Sequence, residues 1–388
     1  MRGEDVSRRR QTWPLHAAGF TTAFGAHGIA ANLGHLTRDG VHSLLVLGGL
    51  LALYDAAEVV LKPVFGTLAD RIGARPVVCG GLIAFALASA AYALAGDTAW
   101  LWAARLGQGA GASAFSPAAS ALVARLNPAA KRGRAFGSYG FFKSLGYTAG
   151  PLLGGLLVWI GGLRLLFAVM AVLGAAVAAW VAAAVPRVPP LPRRRQTVLD
   201  LARRLTDPLF LAPTGALAAA TAALSVGVGF LPVSGAIAGL GTVATGAAVS
   251  VLALCAAVVQ PGVGRALDAG RLSTRTGLVA GLAVTATGLA AAAIHGLAGV
   301  LIGAVLIGAG TGVITPLGFA ALAAGTEPER LGQTMGAAEL GRELGDAGGP
   351  LLVGAVAAAA TLSYGYAVLA GIIAVAAVGG LGRFRCAR

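Results

Sequence analysis

Twelve apolar segments run through the chain, at about residues 12–34, 43–63, 76–95, 99–124, 135–159, 162–185, 208–233, 243–261, 276–295, 297–324, 332–359 and 363–382. Each is close to the roughly 20 residues that a helix needs to cross the hydrocarbon core of a bilayer. No other feature limits the possible folds so strongly. The expected structure is therefore an all-α polytopic membrane protein with twelve transmembrane helices. Composition agrees: 57% of the 388 residues are hydrophobic and 11% are charged, with a mean hydropathy of +0.81, against about 25% charged residues in a soluble protein. Too little polar surface is available to cover a water-soluble globule.

The formal charge of +14 is carried by loops. With both termini inside, the cytoplasmic segments hold 23 of the 29 Lys and Arg residues, while the outer loops hold Arg38 and Arg164. Lys62, Arg105, Lys143 and Arg342 stay within helices. This asymmetry follows the positive-inside rule and predicts a multi-pass protein of the cell membrane with cytoplasmic termini. Nucleic acid is not an expected partner, because no basic patch is interleaved with aromatic residues. The N-terminal MRGEDVSRRRQTW leads into an apolar segment too long for a signal peptide and lacking a cleavage site, which reads as the first span. Cys79, Cys255 and Cys386 are scattered and offer neither metal spacing nor a disulfide framework.

Residues 186–207 are rich in proline and arginine and read as a cytoplasmic linker, within which LDLARRL could form a short amphipathic helix at the membrane surface. The expected organisation is a tail over 1–11, one six-helix bundle over 12–185, the linker, a second bundle over 208–382, and a tail over 383–388. The two bundles repeat one another. Gly137-x8-Gly146-x3-Gly150-Pro151 returns as Gly336-x8-Gly345-x3-Gly349-Pro350, offset by 199. Gly109-Ala-Gly111 with Ser116-Pro117 returns as Gly308-Ala-Gly310 with Thr315-Pro316 at the same offset, and Pro63-x-x-Gly66-x-x-x-Asp70 returns as Pro261-x-x-Gly264-x-x-x-Asp268, offset by 198. Repeats of this kind place a substrate site between the halves and allow them to rock around it.

Ionisable residues inside a bilayer are costly and usually kept for function. Asp55, Glu58 and Lys62 stand at i, i+3 and i+7, on one face of the second helix. Glu339, Arg342, Glu343 and Asp346 stand at i, i+3, i+4 and i+7 in the eleventh. Asp55, Glu58 and Arg105 correspond to apolar positions in the other repeat, so the scaffold itself does not require them. Lys143 and Arg342 correspond to each other. An acid among these could carry a proton, with Asp55 preferred and Glu58 second, since burial beside another acid favours the neutral form. A static ion-pair network is an equally open reading. His27, near mid-membrane, could hydrogen-bond a substrate or carry a proton; His16, eleven residues away, is too distant to share a metal with it. His35 and His42 flank the first outer loop.

The stretch Leu53–Arg75, LYDAAEVVLKPVFGTLADRIGAR, is expected to leave the membrane after a break at Pro63. Its exit, with Gly66, Asp70, Arg71, Gly73 and Arg75, resembles motif A of the major facilitator superfamily of transporters, although Ala74 replaces the first of the two basic residues that usually close the motif. The fifth helix, with Gly137, Gly146, Gly150, Pro151, Gly154 and Gly155, matches that family's motif C, associated with proton-coupled exporters. Arg105-Leu-Gly-Gln108-Gly109 resembles its motif B. The resemblance implies two pseudo-symmetric six-helix bundles and a proton-coupled antiporter that exports a small organic molecule or drug. It implies a monomer in the lipid bilayer, with the proton as coupling ion and no other cofactor.

The resemblance also implies residue roles. Asp70 would accept N–H groups at the start of the eleventh helix and form, with Arg71, a cytoplasmic latch. Arg105 would act in proton coupling through residues of the first helix, unless it snorkels outward from its place near the outer surface. The second and eleventh helices would run antiparallel, bringing Lys62 towards Glu339, Glu58 towards Arg342 and Asp55 towards Asp346. His27, Asn32 and Gln108 are the candidates to line the substrate cavity. Uptake or facilitated diffusion is the competing transport reading, and a non-transporting receptor on the same fold is the alternative from another class. An enzyme would need a nucleophile–base pair or a metal cluster, and the sequence offers neither.

Overall fold

The computed structural model describes residues 2–33, 41–189, 206–240 and 242–383. Among them all regular structure is helical. The helices are α1 (Arg2–Asn32), α2 (Val41–Ile72), α3 (Ala74–Ala95) and α4 (Thr98–Leu126), followed by a continuous stretch Arg132–Ala184. That stretch is broken at Gly161 and at Gly162, whose φ of +69° lies in the left-handed region, so it comprises α5 (132–160) and α6 (163–184). The second half supplies α7 (Pro208–Ile237), α8 (Thr242–Asp268), α9 (Thr274–Ala292), α10 (Leu297–Ala324), α11 (Leu331–Ala359) and α12 (Leu362–Arg383). Single 3-10 turns, Ala129–Lys131 and Pro328–Arg330, precede α5 and α11.

Two boundaries depart from the sequence reading. Residues 2–11, read from the sequence as a tail, continue α1, because extending a helix already nucleated by an apolar span adds one hydrogen bond per residue fixed. α2 does not break at Pro63 but runs through it to Ile72. Proline removes one N–H donor, and a packed membrane helix tolerates that loss. Gly66, Asp70 and Arg71 therefore lie on the last turns of a helix, and the chain turns at Gly73, where φ is +97°. The linker expected over 186–207 falls mostly outside the described residues, as do LDLARRL, Arg38, His35 and Cys386.

Length, mean hydropathy and a low content of charged residues together qualify seven helical segments as spans among the described residues, one of which contains both α5 and α6. α1, α2, α4 and α11 fall short, and these are the helices that carry most of the polar and charged candidates.

The helices form two compact units. The first comprises Met1–Asn127, Phe142–Pro192 and Thr326–Leu340; the second comprises Pro128–Phe141, Arg193–Gly325 and Gly341–Arg388. The opening turns of α5 thus pack with the second repeat, and those of α11 pack with the first. The apolar core of the first unit gathers around Phe24, Leu50, Phe85, Leu101, Phe167 and Met170, towards the C-terminal end of α1. In lipid such packing rests on close van der Waals contact more than on exclusion of water.

Candidate functional site

In the first unit the functional candidates lie along one ridge of α2. Leu50, Tyr54, Glu58, Lys62, Gly66 and Asp70 follow at intervals of four, so they share one face of the helix. At the far end the Asp70 carboxylate caps α11: Oδ1 accepts from the Gly332 N–H and Oδ2 from the Gln333 N–H, both at 2.8 Å. These are donors that the first turn of a helix leaves unsatisfied, and the helix dipole favours an anion there. Arg125 of α4 completes the clasp. Its Nη2 donates to Asp70 Oδ1 at 3.3 Å and to the Pro328 carbonyl at 2.7 Å. One turn earlier, α2 and α11 approach backbone to backbone, since a Cβ on Gly336 would stand 2.8 Å from the Lys62 carbonyl.

The middle of the ridge is ionic. Lys62, 1% exposed, forms an ion pair with Glu58. Glu339 of α11, also 1% exposed, lies 4.0 Å from Lys143 of α5, whose Nζ donates to Ser116 of α4 at 3.3 Å. Asp55 is exposed on the same stretch of α2. At the near end, Tyr54 donates its hydroxyl to Glu58, and Arg105 stacks its guanidinium on the Tyr54 ring, 4.3 Å from the centroid. Arg105 Nε also donates to the Leu50 carbonyl at 3.3 Å.

The second unit repeats the clasp. Asp268, at the end of α8, accepts from the Gly133 and Arg134 N–H groups at the start of α5, each at 2.8 Å. Arg132 donates to the Ala323 carbonyl at the end of α10, at 2.8 Å. The ionic middle is not repeated: Gln260 stands where α2 has Lys62, and Gly140 where α11 has Glu339. In this unit Arg342 of α11 donates to Thr221 at 3.3 Å and lies over the Phe319 ring. Asp346 accepts from Ser225, and Glu343 is half-buried beside them.

The glycines of the fifth helix form a seam with α1. A Cβ on Gly150 would stand 2.8 Å from both the Gly28 nitrogen and the Phe24 carbonyl, and one on Gly154 would stand 3.0 Å from the Gly28 carbonyl. Asn32 closes the seam, donating to the Gly28 carbonyl at 2.7 Å and to the Pro151 carbonyl at 3.4 Å. Gly155 has more room, its nearest neighbour being Asn32 Oδ1 at 3.3 Å. The same approach recurs between α11 and α7, where Gly349 would meet the Ala222 carbonyl at 2.7 Å. Beside the first seam His27 is exposed and packs on Tyr147, ring centroids 4.3 Å apart.

Several expectations need correction. Gln108 is 0% exposed and points between helices, donating to Ser89 at 2.9 Å, so it does not line a cavity. Arg105 does not snorkel: it is 2% exposed, and the contacts described for it are to α2, not α1. Arg71 is exposed and joins no described ion pair, so the guanidinium of the clasp comes from Arg125 instead. Arg75 donates to the Ala182 carbonyl, tying the α3 start to the last turn of α6. Asn32 serves the seam. Sequence reasoning missed Tyr54, Arg125 and the capping role of Asp268. Only the last had a signal, the repeat at offset 198.

The family model of the Major Facilitator Superfamily matches residues 15–269. The chain belongs to the Major Facilitator Superfamily. Among similar curated proteins, an uncharacterized MFS-type transporter of Mycobacterium tuberculosis is 36% identical over 139 residues, covering 35% of this chain and 24% of that protein. The quinolone resistance protein NorA of Staphylococcus aureus is 29% identical over 109 residues, 28% of each chain. These alignments span about a quarter of the relatives' length. Among solved structures, the human organic anion transporter MFSD10 matches with a TM-score of 0.78 at 18% identity, over 96% of this chain and 99% of that one. The E. coli fucose:proton symporter FucP matches with a TM-score of 0.79 at 14% identity, over 96% and 98%. At these identities the likeness is one of fold. As a superfamily member the chain is a multi-pass membrane protein, and its described residues form twelve α-helices in two related sets of six.

Proposed function

We propose that this protein is a proton-coupled antiporter that exports a small organic molecule across the cell membrane by alternating access, with both termini cytoplasmic and one chain as the working unit. The observation that carries the reading is the buried ionic stretch of α2, in which Glu58 pairs with Lys62 beside Tyr54 and Arg105. A carboxylate held inside a bilayer by exchangeable partners can bind and release a proton at modest cost, whereas a purely structural helix would not retain it. The second repeat packs without this network. On this reading Glu58, paired with Lys62 and half-buried, replaces the exposed Asp55 as the preferred proton carrier and Asp55 becomes the second, while the Asp70 and Asp268 clasps hold the cytoplasmic helix ends until the transport cycle releases them.

Direction is supported by the part of the chain similar to a quinolone resistance protein and by the α1–α5 seam, which runs one turn longer than its α7–α11 counterpart because Val353 replaces Gly154. The substrate class is tested with the purified full-length protein in liposomes loaded with a pH-sensitive dye. Norfloxacin, ethidium and fluorescein serve as zwitterionic, cationic and anionic probes. The expected result is collapse of an imposed pH gradient by one of them, reduced at least tenfold in Glu58→Gln. Binding of a probe, seen as thermal stabilisation, without proton movement would replace the antiporter reading with a uniporter or a receptor. Proton movement in the same direction as the probe would make the protein a symporter.

A further inference from the structure

Arg105 is a buried cation whose guanidinium faces an aromatic ring. A guanidinium fork is suited to bidentate pairing with a carboxylate, yet here it lies flat against Tyr54, 4.3 Å from the ring centroid. Its Nη1 has no hydrogen-bond acceptor among the described residues. Tyr54 is itself 5% exposed, and its hydroxyl is committed to Glu58. One tyrosine thus touches both groups, the acid through its hydroxyl and the cation through its π face.

The other repeat shows that helix packing does not need this trio. Gly109 of α4 approaches the Tyr54 carbonyl at 2.5 Å for an added Cβ and the Ala57 Cβ at 3.0 Å. In α10 the equivalent Gly308 makes the same approach to Leu252 and Cys255 of α8. The positions of Tyr54, Glu58 and Arg105 are there filled by Leu252, Ala256 and Ala304, all buried. Identical backbone packing is thus reached with three apolar residues. The tyrosine, acid and arginine occur together in only one repeat, which sets them apart from the shared scaffold.

We infer that Tyr54 is a positioning residue for the proton step: its ring holds Arg105 while its hydroxyl binds the Glu58 carboxylate. The inference rests on the proton-coupled reading above. With Glu58 charged, Tyr54 and Lys62 share it. On taking up a proton the carboxylate becomes a neutral acid, Tyr54 and Lys62 keep their own protons, and Lys62 is released towards the Glu339 turn of α11. The groups described around Glu58 in this unit include Tyr54, Asp55 and Lys62 of α2 and Arg105 of α4, and Glu339, one turn beyond the approach of Gly336 to the Lys62 carbonyl, pairs with Lys143 of α5.

The test needs no substrate. The full-length protein in liposomes is titrated while the infrared C=O stretch of protonated carboxyl groups is recorded. Glu58→Gln should remove one band, which assigns it. Tyr54→Phe keeps the ring and its packing but removes the hydroxyl, and should shift both the frequency of that band and its titration midpoint, by at least about half a pH unit. Arg105→Met, which leaves Tyr54 in place, should also move the midpoint and covers the case in which Tyr54→Phe does not fold. A Glu58 band unmoved by either substitution overturns the positioning role and leaves the proton reading intact. A spectrum unchanged by Glu58→Gln overturns both.

Discussion

A methyl group added at Gly150 would meet backbone, the Gly28 nitrogen and the Phe24 carbonyl, each at 2.8 Å. Backbone in a packed helix pair cannot give way as a side-chain tip can, so the helices must separate. Gly150→Ala is expected to lower unfolding stability by about 1–3 kcal/mol, read as a lower midpoint in detergent-solubilised thermal unfolding. Gly155→Ala, five residues on in the same motif, meets only Asn32 Oδ1 at 3.3 Å and should change stability by less than about 0.5 kcal/mol. Equal losses at the two sites would show that the seam tolerates more separation than its geometry indicates. Gln108 makes a related point. Because it is enclosed and bonded to Ser89, Gln108→Leu should cost about 1 kcal/mol of stability and leave the probe preference of transport unchanged. A changed preference would return Gln108 to the cavity.

At the scale of elements, the two clasps share a geometry and differ in charge. Asp70 and Asp268 each accept two N–H bonds at 2.8 Å from a helix start, but Asp70 also faces Arg125, whose side chain is only 6% exposed. Where Arg125 stands in the first repeat, the second has Ala324. Removing Asp268 loses a cap, worth about 1 kcal/mol. Removing Asp70 leaves a buried guanidinium without its carboxylate, which costs about 3 kcal/mol or more. Asp70→Ala should therefore destabilise more than Asp268→Ala by about 2 kcal/mol. A double-mutant cycle with Arg125→Ala should give a coupling energy of about 1–3 kcal/mol, and additive effects would exclude Arg125 from the clasp. The capping of α11 by Asp70 was legible only through the family resemblance, and the repeat at offset 198 held an unread signal for the same role at Asp268. Arg125 was not legible, since its sequence position says only that it ends a helix and not which carboxylate that end approaches. Pro63 misled for a related reason: its missing donor is a local fact, while the continuation of α2 is decided by the neighbouring helix. Tyr54 was hidden by its type, as a tyrosine in an apolar run reads as packing until the arginine lying on its ring is seen.

For the whole molecule, the informative fact is where α5 and α11 change company. Each begins in one compact unit and continues in the other, with the changes after Phe141 and after Leu340. Their opening turns are held by Asp268 and Asp70 respectively, each within the unit to which those turns belong. If transport proceeds by a single motion, the two clasps cannot open independently, because both helix starts have to leave their partners in the same event. Amide hydrogen exchange separates the possibilities, since it reads the free energy of opening at individual N–H groups. Asp70→Asn weakens the acceptor for Gly332 and Gln333 and must speed exchange there. With concerted opening it also speeds exchange at Gly133 and Arg134, whose own acceptor Asp268 is untouched, and by a similar factor, because one equilibrium governs both sites. With local fraying, the rates at Gly133 and Arg134 stay at their wild-type values. A tenfold rise at the remote clasp would correspond to a shift of about 1.4 kcal/mol in the shared opening equilibrium, and Asp268→Asn should then reproduce it in reverse at residues 332 and 333. Failure of that reciprocity would mean that the clasps, although built alike, are separate latches.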